Sequence, residues 1–329
     1  MEDSIFIHEL RGKTIENIHH ASVCVVDEMK KVIFSKGNMT LPVFYRSSMK
    51  PIQAILPFSI GIEQKYSLTP EEMALTFASQ RGEYYHQERL ESLMGKLEIN
   101  EGQLICPPAY PANEKPKEDC IRRGGQKRRL FHTCSGKHLA FIATAREKNW
   151  STVGYHLLEH PLQQEIKKVV AQFADMNEHQ LIVEVDGCGV PVYAMPLKNL
   201  AISYLEFVSP TIGNNQLQQV LGSIKTVASM HCEYVSSFGY LSTTLLEDKN
   251  IFAKAGAEGV VCLALKAEKL GLAFKIFSGT ELILPSLIAK VLEELDYQNK
   301  ETIEKLYQLH KNPVYNSKNT QAGTIQVKL

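Results

Sequence analysis

Residues 21–35 read ASVCVVDEMKKVIFS, and this stretch decides the fold. Two β-rich runs, residues 21–27 and 31–35, flank a short charged turn, the pattern of a β-hairpin. Working outward, residues 259–265 and 272–277 flank another turn, and residues 323–329 can close a sheet edge. Residues 181–185 alternate apolar and acidic side chains and end in the turn signal Asp186-Gly187. Helix signals lie mostly between these runs. Thr69-Pro70-Glu71-Glu72 has a capping Thr, Pro at the first helical position and Glu three residues after the cap. His160-Pro161 starts a second helix, Leu284-Pro285 a third, and residues 301–310 read as a fourth. Residues 113–129 carry seven Lys or Arg and Gly124-Gly125, and read as a solvated surface loop. Strands near both termini with helices between them give an α/β fold, with a largely antiparallel sheet and flanking helices.

The 329 residues include 36 Lys plus Arg and 36 Asp plus Glu, a formal net charge of zero. A polyanion binder carries a basic surplus, so nucleic acid is not an expected partner and a small molecule is. Seven cysteines, an odd number scattered along the chain, fit a reducing compartment better than a disulfide framework. The start, Met1-Glu2-Asp3-Ser4, lacks the basic-then-apolar order of a secretion signal, and no run approaches the roughly 18 apolar residues that cross a bilayer. A cytoplasmic protein that does not span a membrane is expected. No Pro/Gly/Ser linker divides the chain, so a single catalytic domain over residues 1–329 is expected. No glycine-rich phosphate loop is found either.

Five segments could carry chemistry. In Arg46-Ser47-Ser48-Met49-Lys50-Pro51, Ser47 and Lys50 are three apart and share a face of a helical turn, where a neutral lysine amine can take a serine proton. Pro51 suits a first helical turn, which leaves unpaired N–H groups useful for an oxyanion. Ser79 follows the capped helix in Ala78-Ser79-Gln80-Arg81-Gly82-Glu83, although a Ser followed by Gly is also a plain helix end. Cys134 in Cys134-Ser135-Gly136-Lys137-His138 and Cys188 in Asp186-Gly187-Cys188-Gly189 sit on separate glycine-containing turns. They are either soft-metal ligands or small buried hydrophobes. Lys254, ahead of Gly256 and Gly259, is either a solvated edge residue or a second base.

Taken in order, these segments resemble the thermolabile type II, or class 3, rhizobial-type L-asparaginases. The patterns R-S-S-x-K-P-x-Q, A-S-x-x-G-E, C-S-G-K-H, D-G-C-G-x-P and K-x-G-A-E-G stand at residues 46–53, 78–83, 134–138, 186–191 and 254–259. The resemblance implies a fold similar to serine β-lactamases and penicillin-binding proteins, a homodimer, and hydrolysis of L-asparagine to L-aspartate and ammonia. It implies two Ser–Lys pairs, Ser47 with Lys50 and Ser79 with Lys254, and Zn2+ held by Cys134, Lys137 and Cys188. Asp186 matches an acid near metal and substrate, Arg46 a position at the active-site end of its helix, and Glu83 a substrate-binding position. A lysine binds zinc only as a free amine, so metal occupancy is expected to fall in acid.

The chain also departs from the family pattern. Gln80-Arg81 stand where a His-containing segment is usual, His132-Thr133 precede Cys134 where Asn is frequent, residues 106–109 lack an expected histidine, and Phe277-Ser278 replace two acids. These changes leave two alternatives: the same machinery acting on another small amide, or a non-catalytic zinc- or amino-acid-binding relative. A penicillin-processing enzyme is disfavoured by the expected location. Of the histidines, His138 has the best claim to a supporting role beside the site.

Overall fold

The computed structural model describes residues 5–309 and 314–329. The opening tetrapeptide Met1–Ser4 and His310, the expected last residue of the fourth helix, lie outside the described residues. Among the described residues, eleven strands run β1 (Ile5–Arg11), β2 (Thr14–Val26), β3 (Val32–Lys36), β4 (Pro42–Phe44), β5 (Ile182–Val185), β6 (Pro191–Pro196), β7 (Ile251–Gly256), β8 (Val260–Leu265), β9 (Leu270–Ile276), β10 (Val314–Tyr315) and β11 (Gln321–Lys328). The chain, expected as one domain, divides into two compact units, each assembled from separate segments.

The first unit contains the segment ending at Ser48, Ala194–Ser209 and the segment beginning at Gly239. Its sheet runs in the order β10-β11-β1-β2-β9-β8-β7, with β3 also paired to β2, and the pairings are antiparallel. The hairpin read from residues 21–35 is β2–β3, with Cys24 opposite Ser35. β2 begins seven residues earlier than its apolar run, because Thr14–His20 is mostly polar and pairs with β1 along an exposed margin. Ile7, Val23, Val25, Leu263, Leu272 and Phe274 line one buried sheet face, and the helix Leu284–Glu294 sends Leu287, Ile288 and Val291 into the same core. The helix Leu197–Val208 packs on β2, β8 and β9. It comes so close that a Cβ on Gly271 would lie 2.2 Å from the Ala201 carbonyl oxygen.

The second unit, Met49–Tyr193 with Pro210–Phe238, is mainly helical. The Thr69 signal forms a complete capping box. Thr69 Oγ1 accepts from the Glu72 N–H at 3.4 Å, and Glu72 Oε2 accepts from the Thr69 N–H at 2.7 Å. Such a cap contributes about 1 kcal/mol, and the fully buried Glu72 carboxylate also receives Lys96 and Ser92. His160 caps the helix Pro161–Phe173 through Nδ1, which accepts from the Leu162 N–H. The helix Ser135–Glu147 is buried from Ser135 through Ala145, so it is a central helix rather than a surface one.

Within residues 113–129, read from the sequence as a surface loop, the structure forms the helix Glu114–Arg122. Arg122 reaches back to Asp119 at 2.6 Å and Glu118 at 4.0 Å, so spaced charges support an exposed helix that lacks an apolar stripe. Among the described residues no helix is long and apolar enough to cross a membrane.

Candidate active site

Ser79 in the second unit lies just beyond the helix Pro70–Leu75, and its N–H donates to the Val235 carbonyl at 2.8 Å. Lys50 opens the helix Lys50–Gln53, whose second residue is Pro51, as the sequence suggests. The Lys50 side chain is 1% exposed. Its Nζ lies 2.6 Å from the Ala78 carbonyl, 3.1 Å from Ser79 Oγ and 3.5 Å from the Thr133 carbonyl. In a neutral amine the two carbonyls would take the two N–H bonds and leave the lone pair for the Ser79 hydroxyl, the arrangement a proton transfer needs. Spacing pairs Lys50 with Ser47, and the family resemblance implies that pair and Ser79 with Lys254. The contact found in this unit joins Lys50 to Ser79, 29 residues away.

Cys134, Lys137 and Cys188 also converge within the second unit. Cys134 precedes the helix Ser135–Glu147, Lys137 stands in its first turn, and Cys188 occupies the turn between β5 and β6. Lys137 Nζ is 3.3 Å from Cys188 Sγ, and Cys188 Sγ is 3.8 Å from Asp186 Oδ2. A hydrogen bond from Cys188 holds the Cys134 thiol well below its ordinary value; burial opposes this, and the cations of Lys50 and Lys137 reinforce it. The same bond, with burial, pushes Cys188 up. Burial would lower Lys137, but Cys188, Cys134 and Asp186 together hold it above its usual range. Two sulfurs, an amine and a nearby carboxylate are a donor set that suits zinc once the lysine has lost its proton. Among the described residues no group of three or more His, Cys, Asp or Glu side chains stands ready for a metal, so the lysine is essential to that fit.

Further side chains support this cluster. Gln80, a departure from the family pattern, is 1% exposed and donates to the Phe131 and His132 carbonyls at 3.1 and 2.8 Å, tying the Ser79 turn to the loop before Cys134. His132 Nδ1 accepts from the Cys134 N–H at 3.0 Å. His138 is fully buried, with its Nδ1 2.7 Å from the Tyr155 hydroxyl. Tyr155 also accepts from the Ile105 N–H, so its own O–H donates to His138. The contacts of Tyr155 and Gln80 are not legible in the sequence, because neither has a local spacing signal. Glu83 is engaged by Asn113, whose backbone N–H bonds the Arg81 carbonyl.

In the first unit, Arg46 adopts the left-handed backbone region, φ 50°, and starts the turn that carries the half-buried Ser47. The neighbouring hydroxyl, Ser48 Oγ, donates to the Lys254 carbonyl at 2.7 Å, while the Ser48 carbonyl accepts from Tyr204 at 2.7 Å. Lys254 lies inside β7 and is 1% exposed, which removes the reading of a solvated edge residue. Its Nζ donates to the Ala255 carbonyl at 2.6 Å.

Comparison with solved structures finds loose likenesses. A putative beta-lactamase from Bacteroides dorei DSM 17855 is 13% identical, with 83% of this chain and 93% of that chain covered and a TM-score of 0.45. A probable glutaminase from Bacillus subtilis, complexed with 6-diazo-5-oxo-L-norleucine, is 14% identical, with 84% of each chain covered and a TM-score of 0.39. At these values the likenesses assign this chain no activity. A search of curated proteins finds no match. The profile of the L-asparaginase II family, by contrast, matches residues 7–327, which takes in every motif described above. With nearly its whole length so matched, the chain belongs to the L-asparaginase II family.

Proposed function

We propose that the protein is an amidohydrolase that converts L-asparagine to L-aspartate and ammonia, using Ser79 and Lys50 as nucleophile and base. The observation that carries this reading is the 3.1 Å contact between Lys50 Nζ and Ser79 Oγ, in a chain matched over residues 7–327 by the L-asparaginase II family. In the first step Ser79 Oγ attacks the side-chain amide carbon and its proton passes to the Lys50 amine. The carbon–nitrogen bond then breaks, and ammonia leaves with that proton. Water next attacks the ester, returning a proton to Ser79 and releasing the carboxylate. Cys134, Lys137 and Cys188 would hold Zn2+, and the metal when bound would supply Lewis-acid polarisation. Asp186, 3.8 Å from Cys188, would orient that sulfur or the substrate amine.

A second reading makes Ser47 the acylated residue, favoured by its half-buried place in the turn that Arg46 begins. Lys254 and Arg46 then serve that serine. Trapping with 6-diazo-5-oxo-L-norleucine and peptide mapping separates the two, since an adduct forms on one serine. An adduct on Ser79 supports the main reading. An adduct on Ser47 moves the nucleophile, and no adduct with no ammonia release leaves an amino-acid-binding relative. A homodimer in the cytoplasm is proposed with this function, testable by sedimentation and by fractionation.

A further inference from the structure

At one end of the sheet in the first unit, three side chains stand in a row that the amidase reading does not use. His19 Nδ1 is 2.8 Å from Ser278 Oγ, and His19 Nε2 is 2.6 Å from Glu9 Oε1. A hydroxyl, an imidazole and a carboxylate joined in this order are the parts of an activated serine nucleophile.

The sheet register builds the row. β2 is the middle strand, with β1 on one side and β9 on the other. Ala21 lies opposite Ile276, and the Phe277 N–H donates to the His20 carbonyl at 2.9 Å. The pairing therefore runs one residue past β9 and brings Ser278 opposite His19. On the other side His19 lies opposite Ile7, and Glu9 is two residues along β1, on the same face. That face is the buried one: Ile7, Ala21 and Ile276 line the core, and Glu9, His19 and Ser278 continue it beyond its apolar end.

Hydrogen-bond chemistry then fixes the tautomer. The Glu9 carboxylate only accepts, so His19 Nε2 carries the proton. In the neutral ring Nδ1 presents a lone pair, to which the Ser278 hydroxyl donates. Asn17 donates to the other oxygen, Glu9 Oε2, at 3.4 Å, which restrains the carboxylate. The His19 side chain is 13% exposed and that of Glu9 29%, so base and carboxylate are partly withdrawn from water. Ser278 is exposed, on the turn that follows β9, where a substrate can reach it. Phe277-Ser278 stand where the family pattern has two acids, so this serine is a departure of the chain's own.

The surroundings select the substrate class. Among the described residues the Ser278 and Thr280 N–H groups have no backbone partner and are available to an oxyanion, while the Gly279 N–H is taken by the Ile276 carbonyl at 3.1 Å. Donors on an exposed turn stabilise an oxyanion less than a buried, preorganised pair does. Such a site suits a reactive carbonyl with a good leaving group, an ester rather than an amide. The neighbouring Phe277 ring, 41% exposed, offers one apolar surface, enough for a short acyl chain.

We propose that Ser278, His19 and Glu9 form a second nucleophilic site, which hydrolyses esters of short, uncharged carboxylic acids. Ser278 Oγ attacks the ester carbon while His19 Nδ1 takes its proton. The carbon–oxygen bond to the alcohol breaks, and the alcohol leaves with that proton. Water then attacks the acyl-serine and gives a proton to His19. The carboxylic acid departs as His19 returns a proton to Ser278 Oγ. Glu9 acts through His19 and is a positioning residue. This goes beyond the amidase reading and does not depend on which serine is acylated there.

Hydrolysis of para-nitrophenyl acetate by the full chain, with mapping of the serine labelled by diisopropyl fluorophosphate, tests it. The background is the Ser47→Ala/Ser79→Ala double variant, which removes both candidate amidase nucleophiles. In that protein turnover should persist, with the label on Ser278. Adding Ser278→Ala should abolish turnover and that label, and adding His19→Gln should lower turnover at least about 100-fold. Glu9→Gln should lower kcat severalfold with KM unchanged, a split that a merely structural contact would not give. Each variant must melt near the wild-type temperature, and Ser278→Gly or His19→Asn replaces one that does not. No turnover, no label on Ser278, loss of turnover in the double variant, or undiminished turnover on folded substitution of Ser278 or His19 overturns the proposal. Ammonia release from L-asparagine is read separately, so the amidase reading stands or falls apart from this result.

Discussion

Gly136→Ala tests how the candidate site is held. Gly136 is the second residue of the helix Ser135–Glu147, between Cys134 and Lys137. A Cβ there would lie 2.2 Å from the Leu75 carbonyl oxygen and 2.7 Å from the Leu75 carbonyl carbon, where real Cβ atoms essentially never come closer than 3.0 Å. Both neighbours are backbone, so no rotamer change relieves the clash. The helix must withdraw from the end of Pro70–Leu75 by at least 0.8 Å, the difference between 3.0 and 2.2 Å. Overpacking of this kind costs about 1–3 kcal/mol, and helix propensity returns less than about 1 kcal/mol of it. A net loss of about 1–2 kcal/mol lowers the melting temperature by roughly 2–8 °C for a unit of this size. The same shift moves Lys137 relative to the turn bearing Ser79, and a misplacement near 1 Å costs on the order of 100-fold in rate. The assay is thermal unfolding by circular dichroism alongside ammonia release. Gly95→Ala is the control: it lies in the helix Tyr84–Lys96 with nothing within 4 Å of its Cβ, and should stabilise by up to about 1 kcal/mol. A Gly136→Ala protein with wild-type melting and wild-type activity would refute the reasoning.

Three further outcomes are expected. His86 is fully buried; its Nδ1 accepts from the Glu83 N–H at 3.2 Å, so its Nε2–H donates to the Glu233 carbonyl at 3.1 Å. Burial pushes it down to about 4 from 6.5. The unfolded chain therefore takes the proton first, and the stability His86 contributes is complete above about pH 6.5 and lost as pH falls toward 4. From pH 7.5 to 5 that is about 2 kcal/mol, and His86→Gln should flatten the melting-temperature profile over this window; an unchanged slope contradicts the assignment. Asp248 Oδ2 accepts from Tyr297, Asn299 and Thr302 at 2.9, 2.9 and 2.7 Å, so Asp248→Ala strands buried donors and should cost about 3 kcal/mol in urea unfolding, against under 1 kcal/mol if the network is dispensable. Removing zinc with a chelator, or replacing Cys188 by Ser, should reduce both bound metal by elemental analysis and hydrolysis; full activity in metal-free protein would separate the cysteine cluster from catalysis.

The local devices were legible in the sequence because their physics is local. The 21–35 hairpin, the Thr69 capping box and the Pro161 and Pro285 helix starts depend on residues a few positions apart, and each is found where expected. The helix Glu114–Arg122 was not legible, since its support is a set of surface charge pairs with no apolar period. The division into two units was hidden as well. Its boundaries at Ser48, Tyr193, Ser209 and Phe238 are not marked by a long Pro/Gly/Ser linker, and the first two fall inside regular elements, the turn Arg46–Met49 and strand β6. At the candidate site, motif order named the residues expected to act, while the contact of Lys50 with Ser79 needed the fold, since spacing along the chain says nothing of contacts 29 residues apart. Gln80 shows the same limit from the other side. Its departure from the family pattern was visible, and its work, bonding two carbonyls ahead of Cys134, was not.

The most direct test is ammonia release from L-asparagine by purified, zinc-loaded protein, compared with Lys50→Met and Ser79→Ala at equal folded concentration. The account predicts release by the wild type and a fall of at least about 100-fold in both variants. Wild-type rates in either folded variant, or no release from the wild type, would contradict it.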